Sequence, residues 1–233
     1  MVFRRRAMTA SDRHSIGQSV IDACRAMTAL GVNHGTSGNG SARWRDGFLV
    51  TPTGMRYEDL TAADMVHVTL DGEAHGPLAP SSEWRMHCDI YRGRPEAMAV
   101  LHAHPPYATA LSCLREGIPR FHYMVAAAGG PDIRCADYAL YGGAALSAAM
   151  LKALDGRKAC LLANHGMIVC ESTVQRALGL AVEVEALARQ YCIARRTGTP
   201  VLLTEAEMDE ALARYADYGK QVDDRKKIGG NER

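Results

Sequence analysis

A chain of 233 residues with 47% apolar and 23% charged residues has the make-up of a globular domain, which excludes wholesale disorder and fibrous repeats. Its formal net charge is +1, from 27 Lys+Arg against 26 Asp+Glu, without the basic excess expected when the partner is a nucleic-acid backbone. No apolar run approaches the roughly 20 residues that span a bilayer, so neither nucleic acid nor membrane is expected as partner. A small molecule is, with any anion it carries bound locally.

Arg4, Arg5 and Arg6 precede Ala7-Met8-Thr9-Ala10-Ser11 rather than an apolar stretch, and read as a solvated arm instead of an export signal. The seven cysteines are dispersed and include no C-x-x-C pair, which suits reduced, mostly buried thiols in a cytoplasmic protein.

In chain order, Thr9 or Ser11 can cap a first helix. Ile16, Val20, Cys24, Met27 and Leu30 recur at helical spacing along it, and Gly31 supplies the stop. A glycine-rich loop through Gly38-Asn39-Gly40 leads into two short strands, Ser41 to Trp44 and Phe48 to Thr51, joined by the hairpin signal Asp46-Gly47. Pro52-Thr53-Gly54 breaks the second, and Met65 to Leu70 alternates as a third. Ser82 is expected to cap a helix bearing Trp84, Cys88 and Tyr91 on one face. Met98 to His102 reads as a strand, Tyr107 to Arg115 as a helix ending at Gly117, and Ile133 to Ala136 as a strand. Gly142-Gly143 opens a helix through Leu146, Met150 and Leu154 that ends at Gly156. Two apolar strands, Ala159 to Ala163 and Met167 to Cys170, flank His165. Ser172 or Thr173 caps a long helix to Tyr191, and Thr204 a last one through Met208, Leu212 and Tyr215. Residues 220–233 read as a polar, frayed tail after one domain spanning 1–219. Interleaved strands and helices with hairpin signals predict an α/β fold whose sheet is mixed or largely antiparallel.

Of nine histidines, His14, His67, His75 and His87 fall on helix-surface, strand or turn patterns and read as structural. His102-Ala103-His104 differs. On an extended strand, residues i and i+2 share a face, so two imidazoles can converge on one cation where the chain opens at Pro105-Pro106. H-x-H alone is a weak signal. His165, at a break between two strands, adds a third imidazole, and three histidines with an open position is a catalytic zinc pattern. Glu83 suits either a fourth ligand position or simply the acidic first turn of a helix. Ser81-Ser82, Gly38-Asn39-Gly40-Ser41 and Thr53-Gly54 offer hydroxyls and backbone donors without a Walker or dinucleotide fingerprint.

Taken in order, Gly38-Asn39-x-Ser41, Thr51-Pro52-Thr53-Gly54, Ser81-Ser82-Glu83, His102-x-His104 and Asn164-His165-Gly166, with His122-Tyr123 and the Ala-rich segment to Gly130, resemble the class II aldolase/adducin family. The resemblance runs from the first helix to Tyr218-Gly219. It implies a three-layer α/β/α fold with a mostly antiparallel central sheet. It also implies a homotetramer with active sites between subunits. By position it makes His102, His104 and His165 ligands of one Zn2+ per subunit, with Mn2+ or Co2+ as substitutes. Glu83 becomes a fourth ligand that also serves as base. Gly38, Asn39, Thr53, Gly54, Ser81 and Ser82 become phosphate-binding residues. Tyr123 is implied to come from the adjacent subunit, and Tyr218 to close the site. The implied reaction splits a ketose 1-phosphate of the L-fuculose 1-phosphate type into dihydroxyacetone phosphate and a short aldehyde such as lactaldehyde.

Related chemistries in the family are cleavage of 5-deoxyribulose or 5-methylthioribulose 1-phosphate, decarboxylation, dehydration and 4-epimerisation. A non-catalytic adducin-like module would be expected to lose the ligands that this chain keeps. Three departures stand out. Gly40 replaces a β-branched residue and is expected to loosen its loop. Asn164 replaces a histidine. Tyr141 replaces a phenylalanine near the aldehyde end, which bears on the aldehyde preferred.

Overall fold

The computed structural model describes residues 9–215; Arg4–Arg6, Tyr218 and the 220–233 tail lie outside them. Eight strands form one sheet: β1 (Asn39–Trp44), β2 (Gly47–Val50), β3 (Val66–Thr69), β4 (Ala74–His75), β5 (Ala99–Ala103), β6 (Cys135–Ala136), β7 (Ala159–Leu162) and β8 (Gly166–Glu171). Their order is β4-β3-β2-β1-β5-β8-β7-β6. Every pairing is antiparallel except β6 with β7.

The helices are α1 (Ala10–Ala29), α2 (Trp84–Gly93), α3 (Pro106–Cys113), α4 (Ala144–Ala153), α5 (Val174–Thr197) and α6 (Glu205–Tyr215). Helices α1, α3 and α5 cover one face of the sheet, and α2 and α4 the other. Strand alternation feeds both layers. Leu101, Ala103, Met167 and Val169 point toward α1, α3 and α5, whereas Val100, Ile168 and Cys170 point toward α2 and α4. The result is the expected α/β/α sandwich.

Local signals explain most boundaries. Thr9 and Asp12 form a capping box at the start of α1, and Gly31, with φ of +70°, follows its C-cap Leu30. Thr173 caps α5 by accepting the Arg176 N–H.

Four expectations fail for physical reasons. Ser82 does not cap α2: Glu83 occupies the cap position, and Ser81 Oγ accepts the Glu83 N–H at 3.3 Å. Gly40 lies in strand β1 rather than a flexible loop; a Cβ there would come within 2.8 Å of Cys24 Sγ and 2.9 Å of Leu101, so close packing of α1 on the sheet requires glycine. Gly117 does not end α3, which stops at Cys113 and is followed by Arg115 with φ of +56°. Only Cys135–Ala136 of the segment from Ile133 joins the sheet, Ile133 bridging to Ile118 instead.

Helix α3 starts with Pro105 at its cap, which offers no side-chain acceptor. Glu185 of α5 fills that role, accepting the N–H groups of Tyr107 and Ala108 at 2.9 Å each. Because the His102–His104 strand runs directly into α3, this clamp anchors the arm that carries both histidines. Replacing Glu185 with Ala should lower the unfolding free energy by about 1–3 kcal/mol, the cost of stranding donors that bond a charged acceptor. Urea denaturation should show a lower midpoint at unchanged slope.

Candidate metal centre and active site

Sheet register brings the proposed ligands to one end of the molecule. His102 is the fourth residue of central strand β5 and is fully buried on the α2 side. Cross-strand pairing places Asn39 of β1 opposite it. His104 lies two residues on and keeps the same face as the strand ends. Glu83 turns inward from the cap of α2 without bonding its own helix.

His165 stands in the tight turn from β7 to β8. There Asn164 takes a φ of +54°, a left-handed conformation that asparagine tolerates better than most residues. Its N–H donates to Ser112 O at 2.9 Å, and its Oδ1 accepts from Arg115 Nε at 3.1 Å. The His165 N–H reaches Ser112 Oγ at 3.3 Å. The turn is thereby pinned to the end of α3, which accounts for asparagine at this position.

The three imidazoles meet edge to face, with centroids 4.7–4.8 Å apart. His102 Nε2 lies 2.9 Å from His104 Nε2 and 3.1 Å from Glu83 Oε2, and His165 Nε2 lies 3.2 Å from Glu83 Oε1. One ligand atom from each residue falls within 4.8 Å of every other.

The donor chemistry decides what belongs there. His102 Nδ1 is 2.8 Å from Met167 O, and a carbonyl only accepts, so Nδ1 carries the proton. Nε2 of a neutral ring is then a bare lone pair aimed at the cluster, the usual arrangement of a metal-ligating histidine. Burial, reinforced by the neighbouring His102 and His165, pushes the His104 pKa down to about 3 against the pull of Glu83. Burial would raise the Glu83 carboxyl, yet His102 and His165, when protonated in the metal-free cluster, outweigh it and hold the group well below the usual carboxylate range. Glu83 Oε1 is buried and has no hydrogen-bond partner. An acceptor-only carboxylate amid imidazole nitrogens fits a divalent cation.

Above the cluster opens a pocket of about 440 Å³ walled by Thr53, Gly54, Ser82, Tyr141, His104 and His165, among others. Thr53-Gly54 and Ser81-Ser82 become neighbours because Ser81 N–H donates to Thr51 O at 3.0 Å and Thr53 N–H to Ala79 O at 3.1 Å. Tyr141 is brought alongside by Gly142, whose φ is +74° and whose Cβ position lies 2.7 Å from Ser82 O.

Gly38, Asn39 and Ser81 are buried rather than part of an open loop. The Asn39 side chain is engaged at both ends, giving Nδ2 to Glu83 Oε2 at 3.0 Å and holding Oδ1 2.6 Å from His87 Nε2. Tyr123 stands apart from this cluster, 58% exposed in a 3-10 turn at Tyr123–Ala128. Tyr218 is outside the described residues. His87 contributes more than its surface-like spacing suggested: it is fully buried, with burial chiefly, and then His102, pushing its pKa down to about 3. Tyr138 and Leu140 also wall the pocket. They lie just ahead of Gly142-Gly143, a stretch that carried no periodic signal.

With this geometry established, comparison with known proteins is direct. The model for the Class II Aldolase and Adducin N-terminal domain matches residues 18–192. The chain belongs to the class II aldolase and adducin family. A 5-methylthioribulose-1-phosphate/5-deoxyribulose-1-phosphate aldolase from Rhodospirillum rubrum is 49% identical over 89% of this chain and 94% of its own. An L-fuculose phosphate aldolase from Escherichia coli K12 is 44% identical over 91% of this chain and 100% of its own. A solved L-fuculose 1-phosphate aldolase superposes with a TM-score of 0.85 at 37% identity, covering 91% of this chain and 100% of that one.

Gly166 tests the centre without touching a ligand. A Cβ there would sit 2.5 Å from Ala103 O and 2.7 Å from His104 Cδ2. Gly166→Ala should displace the His104 ring and weaken divalent-metal affinity by about 10-fold or more. Chelator competition reads that loss, with circular dichroism confirming the fold.

Proposed function

We propose that the chain is a metal-dependent aldolase of ketose 1-phosphates. It would split them between C3 and C4 into dihydroxyacetone phosphate and a short, uncharged aldehyde, with L-fuculose 1-phosphate giving lactaldehyde as the leading substrate. The observation that carries this reading is the meeting of Glu83 with His102, His104 and His165 at the base of a pocket bearing Thr53, Gly54 and Ser82. The second reading, 5-deoxyribulose or 5-methylthioribulose 1-phosphate as substrate, is favoured by the 49% identical relative.

His102, His104, His165 and Glu83 would hold the metal. Three imidazoles with a carboxylate favour Zn2+. When bound, the divalent ion supplies a Lewis acid for charge developing on the ketone oxygen. The remaining work falls to the chain. Thr53, Gly54, Ser81 and Ser82, with the backbone at Gly38 and Asn39, orient the phosphate and fix the C2–C3 end against Glu83. As the C3–C4 pair moves toward the ketone oxygen, Tyr123 from a neighbouring copy takes the C4 hydroxyl proton. Glu83, loosened and protonated at this point, delivers its proton to C3, and the proton that Tyr123 took from the C4 hydroxyl returns to the Glu83 carboxylate through solvent; the condensation direction reverses both transfers. A carboxylate engaged with the cation would be weakly basic, so Glu83 must loosen from the cluster to perform this step. Tyr141, with Tyr138 and Leu140, faces the aldehyde tail, and Tyr218 closes over it. No helix among the described residues is long and apolar enough to cross a membrane. With seven free cysteines, this fits work in the reducing cytoplasm.

A panel of ketose 1-phosphates, read by release of dihydroxyacetone phosphate, tests the reading. L-fuculose 1-phosphate should be cleaved strongly and its unphosphorylated form hardly at all. Much faster turnover of 5-deoxyribulose 1-phosphate would select the second reading. Glu83→Gln should reduce cleavage by roughly 10²–10⁴ and suppress exchange of the dihydroxyacetone phosphate C–H proton to match.

The active unit is an oligomer in this reading, because Tyr123 acts across a boundary, and the family resemblance makes it a homotetramer. Mixing Glu83→Gln chains with Tyr123→Phe chains should restore activity, since some assemblies then contain an intact composite site. Mixed oligomers without recovery would place Tyr123 in its own chain's site or outside catalysis.

A further inference from the structure

Behind Glu83 lies a buried file of side chains. Asn39 Nδ2 is 3.0 Å from Glu83 Oε2, His87 Nε2 2.6 Å from Asn39 Oδ1, Ser41 Oγ 2.7 Å from His87 Nδ1, and Tyr91 Oη 2.8 Å from Ser41 Oγ. Asn39, Ser41, His87 and Tyr91 are all at most 3% exposed.

The direction of every bond is forced from the Glu83 end. An ionised carboxylate accepts only, so the Asn39 amide must present its NH2 there and its carbonyl oxygen to His87. His87 must then carry its proton on Nε2, which leaves Nδ1 bare. Ser41 donates to that nitrogen, and the Ser41 oxygen accepts a hydrogen bond from the Tyr91 hydroxyl. Reversing Asn39 would set a carbonyl oxygen against the carboxylate, and the other His87 tautomer would set a bare nitrogen against that carbonyl. The sheet and helix fix the spacing: Asn39 and Ser41 lie two apart on one face of β1, and His87 and Tyr91 four apart on one face of α2.

We infer that His87, backed by Ser41 and Tyr91, is a positioning residue that locks the Asn39 amide and through it the Glu83 carboxylate. Oε2 is held by the Asn39 amide and faces His102 Nε2 at 3.1 Å, while Oε1 points toward His165. The inference rests on the aldolase reading for its kinetic consequence but not for its metal-binding one. Asn39 is thereby assigned a task for its side chain distinct from phosphate binding.

His87→Leu removes the donor, His87→Gln keeps an N–H at similar reach, and Ser41→Ala removes the hydroxyl that holds Nδ1, leaving the ring supported at one end only. The Co2+-substituted protein gives a readout independent of turnover. His87→Leu should weaken Co2+ affinity by about 10-fold and shift the visible absorption bands, as loss of support behind a ligand does. At saturating metal it should lower kcat by about 10–100-fold with KM within threefold, because the phosphate contacts are untouched. His87→Gln should recover most of both losses. Ser41→Ala should move affinity and spectrum in the same direction as Leu, and it carries the test if the Leu variant does not fold. Unchanged Co2+ binding and kcat in folded His87→Leu or Ser41→Ala would overturn the inference. So would a Gln variant as impaired as Leu, which would make ring shape the determinant. If the wild type cleaves no ketose 1-phosphate while the Co2+ signature responds as described, the substrate reading fails and the positioning role stands.

Discussion

Lone pairs repel, and this fold drives several of them into one small volume. His102, locked by Met167 O into presenting a bare Nε2, is fully buried against a carboxylate and two further imidazoles. Such an arrangement is costly unless a positive charge neutralises it. Much of the surrounding architecture reads as the means of holding those acceptors together. Central strand β5 delivers two histidines, the pinned turn at Asn164 delivers the third, and the cap of α2 delivers Glu83.

The energy that holds them comes from elsewhere. Two apolar layers clamp the sheet between helices, and the ligands sit where the strands end and the layers part. Small residues mark the places where backbones must approach. Gly40 lets α1 onto the sheet, and Gly166 lets β8 pass beside His104. The clamp from Glu185 onto α3 links the outer helix layer to the arm bearing His102 and His104.

What was legible in the sequence had a short period or a local chemical cause. The i, i+2 histidines show on a strand because side chains alternate, and Asp46-Gly47 announces its hairpin. The Thr9–Asp12 box announces its helix. What escaped depends on contacts far apart in sequence. His87 and Tyr91 have the spacing of any helical face, and only the pairing of β1 against α2 shows that they meet Ser41 and Asn39. Ser82 looks like a cap because serine usually is one, but Glu83 takes the cap position itself. Gly40 looks like loop flexibility until the sulfur of Cys24 is placed beside it. The assignment of Asn39 to a phosphate loop came from the family resemblance, and its long-range bonds to Glu83 and His87 were invisible to it.

The seven thiols are not chemically equal. Burial pushes Cys24 up to about 12 and Cys170 to about 11, and raises Cys160 well above its ordinary value. Cys88, Cys135 and Cys192 are raised as well, in each case chiefly by burial. Thiolate character and access govern alkylation, so the buried Cys24, Cys88, Cys160 and Cys170 resist an electrophile in the folded chain, and the half-buried Cys135 and Cys192 are less open to it than an exposed thiol. Cys113 is the exposed one. It is the last residue of α3, and its carbonyl lies 3.5 Å from the Asn164 amide, beside the turn that holds His165. The fold therefore offers its one exposed thiol as a chemical handle beside the His165 turn, where a reporter dye could be attached without engineering a cysteine.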